Sequence, residues 1–301
     1  MIIGSHVSFG KEQLLGSVKE AINYNANAFM FYTGAPQNTL RSPINNELTT
    51  KAKELMKENN IDIKNVICHA PYIVNPATND DVKRNFAIDF LKNEIKRCSE
   101  LGVKYIVLHP GSAVGIDRNI AIENIIYVLN QILDNSYDVK ILLETMAGKG
   151  NECGKTTIEL KSIIDNIKYQ DKIGVCLDTC HLNDSGIDIS NFNSYLDEFD
   201  NLIGLDKIGC IHINDSKNEL GSHKDRHANI GYGIIGFDNI INVINNPLLK
   251  DIPFILETPY TGNDIDDNER LYPPYKYEIE MIRNNKFNPN LFEDIKKEYS
   301  K

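Results

Sequence analysis

The sequence contains no apolar run near the roughly 20 residues that a membrane-spanning helix needs, which excludes an integral helical membrane protein. Residues 1–6 lack a basic segment leading into an apolar one, so no secretory signal is expected and the chain reads as cytoplasmic. None of its six cysteines (Cys68, Cys98, Cys153, Cys176, Cys180 and Cys210) stands in a C-x-x-C pair. Cys68, Cys176 and Cys210 fall in apolar runs, and the set reads as small buried hydrophobes in a reducing compartment, not as a zinc-thiolate site. No G-x-G-x-x-G follows the first apolar run, which argues against an open dinucleotide-binding sheet. The glycine-rich stretch 231–236 lacks the Lys-Ser/Thr of a P-loop and reads as a tight loop. Ser112 has no general-base motif beside it, so it is expected to serve a turn or a phosphate contact, not nucleophilic attack. An excess of basic charge is also missing. Lys and Arg number 32 against 42 Asp and Glu, a formal charge of −10. Phosphate binding is mostly electrostatic, so this balance opposes a nucleic-acid partner unless bound cations alter it.

What is present is a pattern repeated about eight times: a short apolar run, a polar or glycine-containing turn, then a longer amphipathic stretch. The strand candidates are 2–6, 28–31, 66–69, 105–109, 140–144, 173–178, 208–214 and 254–257. They are apolar without interruption, as expected for parallel strands buried on both faces. Helical patterns cover 13–24, 47–59, 81–101, 121–133, 157–167, 191–202, 238–244 and 274–284, and Gly102 is a stop signal after the third. Eight strands alternating with eight helices predict an α/β fold, a (β/α)₈ TIM barrel in a single domain. No composition shift divides the chain. The barrel is expected over residues 1–286, followed by a charged tail at 287–301.

In such barrels active sites form at the C-terminal ends of the strands. His69, His109, Glu144, Asp178 and Glu257 end five of the predicted strands, and His212 lies near the end of another. His181 follows Asp178 closely, and Asp225 and His227 stand in the loop after the seventh strand. Any one of these reads as a core histidine or a helix N-cap. Together they place five of the seven histidines at one end of the barrel with four carboxylates. Nine candidate ligands exceed the four that one zinc takes. With a bridging carboxylate they suit two or three ions, and ions about 4 Å apart can clamp both oxygens of a phosphoryl transfer. His6, on the same rim, is expected in a supporting role, and His223 as a solvated loop residue. Asn214 and Asp215 are expected to orient an imidazole.

These segments resemble the endonuclease IV family of apurinic/apyrimidinic endonucleases over nearly the whole chain. The resemblance rests on His69-Ala70-Pro71-Tyr72, His109-Pro110-Gly111-Ser112, Glu144-Thr145-Met146-Ala147-Gly148 and Cys176-Leu177-Asp178-Thr179-Cys180-His181. It continues in His212-Ile213-Asn214-Asp215-Ser216, Asp225-Arg226-His227 before Asn229-Ile230-Gly231-Tyr232-Gly233, and Leu256-Glu257-Thr258-Pro259. It implies three Zn²⁺ ions, with Mn²⁺ able to occupy one or more sites. His69 and His109 would hold the first ion, Glu144 would bridge to a second completed by Asp178, His212 and Glu257, and His181, Asp225 and His227 would hold the third. A hydroxide between the first two would attack the phosphodiester 5′ to an abasic site in double-stranded DNA, leaving a 3′-hydroxyl and a 5′-deoxyribose phosphate. Trimming of blocked 3′ ends is implied by the same chemistry, and a monomer by the family. Three divalent ions would bring the formal charge from −10 to about −4. Tyr72 would enter the minor groove beside a flipped-out sugar. Gln37 stands where some members carry arginine and would contact DNA without charge. Two other readings compete. One is a barrel metal-dependent sugar isomerase or epimerase, which would need fewer ions. The other is a non-enzymatic binder of damaged DNA with structural zinc.

Overall fold

The computed structural model describes residues 1–262 and 271–299. The strands are β1 (Ile3–His6), β2 (Ala28–Tyr32), β3 (Val66–His69), β4 (Tyr105–Leu108), β5 (Lys140–Glu144), β6 (Ile173–Asp178), β7 (Ile208–Ile213), the short β8 (Asp215–Ser216) and β9 (His227–Ala228), and β10 (Phe254–Leu256). All except β8 and β9 close into one parallel barrel in the order β1-β10-β7-β6-β5-β4-β3-β2. β8 and β9 form a separate antiparallel ribbon. At Gly4 of β1 a Cβ would sit 1.6 Å from the Ala28 carbonyl oxygen, so only glycine allows β1 and β2 to approach there.

The helices are α1 (Gln13–Asn23), α2 (Asn46–Glu58), α3 (Asp81–Leu101), α4 (Arg118–Ile132), α5 (Thr157–Ile164), α6 (Thr179–Ser185), α7 (Phe192–Leu202), α8 (Phe237–Ile244), α9 (Tyr275–Arg283) and α10 (Leu291–Tyr299). The long α3 starts where the Asp80 carboxylate accepts from the amides of Val82 and Lys83, and stops at Gly102, whose φ of 82° few other residues adopt. In the charged segment 287–301, α10 buries Leu291 and Ile295 beside Met281 of α9. Among the described residues no helix is long and apolar enough to cross a membrane.

Two apolar layers result from the alternation of side chains along each strand. Outward-facing residues such as Ile106, Leu108, Ile141, Leu143, Val175 and Leu177 join the helices in one continuous core. Inward-facing residues, among them Ile67, Val107, Leu142, Cys176, Cys210 and Ile255, fill the barrel interior. Counting two residues onward from each of these six gives His69, His109, Glu144, Asp178, His212 and Glu257. The same period that packs the barrel floor therefore aims six potential ligands up the barrel axis toward its C-terminal mouth.

Candidate metal centre

Glu144, at the end of β5, is the hub. Its Oε2 lies 3.2 Å from Nε2 of His69 and 3.1 Å from Nε2 of His109. Its Oε1 lies 3.1 Å from Nδ1 of His212 and 3.3 Å from Nδ1 of His181. One carboxylate thus presents an oxygen to each of two imidazole pairs, the geometry a bridging ligand requires. Glu257 approaches His212 Nδ1 at 3.0 Å from the other side.

Asp178 has two jobs. Its Oδ1 accepts from the His181 amide at 2.8 Å and so caps α6. Its Oδ2 faces the site, 3.8 Å from both His212 Nδ1 and His227 Nε2. The helix-cap reading and the ligand reading of an acidic residue after a strand are both met here, by different oxygens. His181 Nε2 lies 3.1 Å from Asp225, and His227 Nε2 lies 3.5 Å from the same Asp225 oxygen.

Ligand atoms within 4.8 Å of one another define overlapping groups: His69, His109 and Glu144; Glu144, Asp178, His212 and Glu257; and Asp178, His181 and His227. All nine residues singled out in the sequence meet at this one mouth. Asp178 belongs to two of the groups, a sharing that the sequence reading did not assign.

The electrostatics fit bound cations. Burial alone would raise the Glu144 carboxyl, but His212 and His109 outweigh it and hold it well below the usual carboxylate range. The histidines respond in kind. Burial works against charge on His181 and His212, yet Asp178, Asp225 and Glu144 around the first, and Cys176, Glu257 and Glu144 around the second, raise both well above the ordinary imidazole range. His109 is raised by Glu144 against its burial. So dense a set of buried carboxylates draws in positive charge, and divalent ions would supply it without protonating the ring nitrogens. Nε2 of His227 is buried with no hydrogen-bond partner, as suits a nitrogen reserved for a ligand. The donor set of imidazoles and carboxylates is that of zinc or manganese.

Several of these groups are held from behind. The His69 Nδ1 meets the Ala70 carbonyl at 2.7 Å and the His181 Nδ1 meets the Thr145 carbonyl at 2.8 Å, which fixes both rings. Asn214 donates to Asp178 Oδ2 at 2.7 Å, while its Oδ1 accepts from the Glu257 amide at 2.9 Å. Asn214 therefore positions carboxylate ligands and not an imidazole. Asp215 differs from expectation more widely. It accepts from the amides of Gly231, Gly233, Ile235 and Gly236, folding the glycine-rich loop around itself instead of touching a histidine. A side chain at Gly233 would clash, since a Cβ there would lie 2.3 Å from Asp215 Oδ1.

His223 is an exposed loop residue, as expected, and its Nδ1, 2.8 Å from the Ala147 carbonyl, also ties the loop between β8 and β9 to the loop after β5. Asp184, unnoticed in the sequence, is wholly buried and accepts from Ser216, Asn218 and the amide of Asp225 at 2.6, 2.9 and 2.9 Å. It fixes the start of the loop that presents Asp225 and His227. The His6 ring lies tilted against Tyr32 with centroids 4.8 Å apart, and burial pushes its imidazole down to about 4, so it stays neutral beside the site. Ser112 serves a turn, its amide and carbonyl both bonded to the Asn75 side chain at 2.9 Å.

Around the mouth, Tyr72 is 55% exposed and Ile73 beside it 43%, an apolar pair projecting from the loop after β3. Gln37 is exposed in the loop after β2.

A family model described as a xylose isomerase-like TIM barrel matches residues 18–284. A probable endonuclease 4 of Acholeplasma laidlawii is 50% identical over 301 residues, covering 99% of this chain and 100% of the relative. A probable endonuclease 4 of Ureaplasma parvum is 51% identical over 291 residues, with 95% of each chain covered. Among solved structures, endonuclease IV from Thermus thermophilus superposes with a TM-score of 0.77 at 28% identity, over 94% of this chain and 98% of that one. A D-tagatose 3-epimerase-like protein superposes with a TM-score of 0.68 at 20% identity, over 99% and 100% of the two chains, a likeness of fold alone. With relatives of about half-identical sequence along the full chain and a solved family structure on the same barrel, the chain belongs to the endonuclease IV family.

Proposed function

We propose that the protein is a zinc-dependent DNA-repair phosphodiesterase. It hydrolyses the bond 5′ to an abasic site in duplex DNA, leaving a 3′-hydroxyl and a 5′-deoxyribose phosphate, and it trims blocked 3′ ends. The observation that carries this reading is the convergence of five imidazoles and four carboxylates on one barrel mouth, with Glu144 presenting an oxygen to each of two histidine pairs. His69, His109 and Glu144 would hold one ion; Glu144, Asp178, His212 and Glu257 a second; His181, Asp225 and His227, with Asp178 between, a third. Mn²⁺ would substitute at one or more of these positions. When bound, the ions supply a water activated at neutral pH and positive charge for the phosphate oxygens.

The chain's own contribution is placement. Glu144 fixes the spacing between the two halves of the site. Asn214 and Thr145 hold Asp178, the latter through its hydroxyl at 2.9 Å from the Asp178 amide. The exposed Tyr72 would fill the space beside the extruded sugar, and Gln37 would hydrogen-bond in the minor groove. The same reading gives a cytoplasmic enzyme that acts as a monomer on DNA.

The test is a duplex carrying one tetrahydrofuran abasic analogue, which cannot undergo β-elimination. Resolved on a denaturing gel, a single incision 5′ to the lesion, absent from Glu144→Ala, is expected. Folded, zinc-replete protein that leaves this duplex intact would overturn the assignment.

A further inference from the structure

Directly beneath the candidate metal centre lies a second donor cluster of a different chemical kind. Cys176 of β6 and Cys210 of β7 are register partners, and two residues further along the same strands Asp178 and His212 are partners as well. Both thiols are completely buried and face the barrel interior. Their sulfurs and one imidazole nitrogen of His212 all lie within 4.8 Å of one another, a span that one ion can bridge. The two cysteines are 34 positions apart. Strand register, which no local spacing reveals, creates the pair.

The His212 ring supplies the independent observation. Its Nδ1 faces carboxylates, 3.1 Å from Glu144 and 3.0 Å from Glu257. Its Nε2 is buried and has no hydrogen-bond partner, on a side chain with 0% exposure. With Nδ1 directed to the carboxylates, Nε2 is the nitrogen left for the sulfurs. The nine candidate ligands of the upper site offer oxygen and nitrogen, with the Cys180 sulfur alone reaching its edge beside Asp225 and His227. The lower one has two sulfurs and one nitrogen, a soft set that selects thiophilic ions.

We propose that Cys176, Cys210 and His212 form a binding site for a thiophilic metal ion, on the barrel floor below the oxygen-rich centre. Binding replaces the proton of each thiol by a bond to the ion and releases both protons to solvent. The two levels share one imidazole. When Nδ1 serves the upper centre, the ring proton must sit on Nε2 or be lost. When Nε2 holds a soft ion, Nδ1 is left with the proton it donates to Glu144 or Glu257. Occupancy of the floor therefore competes with full occupancy of the mouth for His212.

The probe is Cd²⁺ added to the full-length protein after removal of bound metal by a chelator, under reducing conditions, with the thiolate-to-cadmium charge-transfer absorption recorded. Oxygen and nitrogen ligands give no such band, so a band from the upper centre could arise only through Cys180, whose sulfur lies within 4.8 Å of ligand atoms of Asp225 and His227, and the readout needs no DNA cleavage. One equivalent of the band is expected in the wild type and in Cys180→Ala, which removes the other cysteine near the site. It should be lost in Cys210→Ala. Cys210→Val, closer to the native volume, serves as the second variant if the alanine form unfolds, circular dichroism reporting the fold of each. A missing band in the wild type, or an undiminished band in a folded Cys210 variant, would overturn the proposal. Excess Mn²⁺, which suits the oxygen-rich mouth and binds thiolates poorly, should lower the cadmium signal in the wild type, since the mouth and the floor draw on one ring; an unchanged signal would overturn the competition.

Discussion

Arg41 and Glu94 stand 53 positions apart, yet the Arg41 Nε meets the Glu94 Oε1 at 2.9 Å with side chains only 4% and 0% exposed. Glu94 comes from the middle of α3 and Arg41 from the loop after β2, and Thr33 adds a hydroxyl to the other Glu94 oxygen at 2.7 Å. The same guanidinium reaches back to the carbonyls of Asn38 and Leu40 at 3.2 and 2.9 Å. The loop that carries Gln37 is therefore clamped to a rigid helix from within.

Removing one partner of a buried pair costs about 3–5 kcal/mol when the other is left uncompensated, but Arg97 Nε also stands 3.8 Å from Glu94 Oε1. Arg41→Ala is therefore expected to lose stability by less than that in a denaturant titration. In incision assays on abasic duplex it should raise KM more than it lowers kcat, since the clamp acts on the loop proposed to contact DNA and not on the reacting groups. A kcat loss at constant KM would show that the clamp serves the metal centre instead.

Asn214 is the second point of leverage. It is wholly buried and joins two candidate ligands, Asp178 by its amide group and Glu257 by its carbonyl. Partners behind metal ligands change affinity by about 10–100-fold when removed. Asn214→Ala should bind zinc weaker by that factor in a competition titration with a chelator, with incision restored in part by added zinc. Asn214→Asp sets a further negative charge beside Asp178 and should not rescue the loss. Unchanged zinc affinity in a folded Asn214→Ala protein would remove the positioning role.

Much of the site could be read from parity. Each barrel strand alternates faces, so the six rim ligands at 69, 109, 144, 178, 212 and 257 share a face with the apolar residue two positions earlier, a relation visible in the bare sequence. The eight strands were legible for the same reason, as continuous apolar runs. What escaped was made by contacts distant in sequence or by polar segments. Helix α6 has no apolar stripe because nearly all of it, from Thr179 to Asp184, is buried against the site. The ribbon of β8 and β9 is two residues on each side, too short for a period. Asp215 looked like a partner for His212 because it is near in sequence. The strand ends between them, and its carboxylate turns to the glycine-loop amides, which leave no nearer acceptor. The Arg41–Glu94 clamp and the buried Asp184 have no local signature at all.

The pH response of metal binding follows from the shifts at the mouth. Without metal, His181 is raised above the ordinary imidazole range by Asp178, Asp225 and Glu144, and His212 by Cys176, Glu257 and Glu144, so their contribution to stability is present at low pH and is lost as pH rises through their folded values. Zinc needs these rings unprotonated. The stabilisation conferred by zinc should therefore grow as pH rises between about 6 and 8, read as the difference in Tm between zinc-saturated and chelator-treated protein. Chelation should abolish incision at every pH in that range. A Tm difference that shrinks with rising pH would contradict the assignment of these histidines as ligands.

Away from the metal centre, Glu278 of α9 gives a pH effect of its own. It is fully buried, accepts from the Asn229 side chain at 3.1 Å and the Ile230 amide at 3.0 Å, and is bonded by the Thr258 hydroxyl. Burial outweighs those donors and pushes its carboxyl up to about 7. A carboxyl raised in the fold favours the fold below its unfolded value, and that contribution is lost as pH climbs from the ordinary carboxylate range through about 7. The loss is on the order of 3 kcal/mol. In Glu278→Gln the amide oxygen can still accept from Asn229 and Ile230, and the amide nitrogen can donate to the Thr258 oxygen, but no charge is buried at high pH. Denaturation of both proteins at about pH 5 and about pH 8, under the same zinc concentration, isolates the residue because shared linkages cancel in the difference. The variant should gain on the wild type as pH rises. Equal pH slopes for the two proteins would mean that the three donors already hold the charged carboxylate as well as water does.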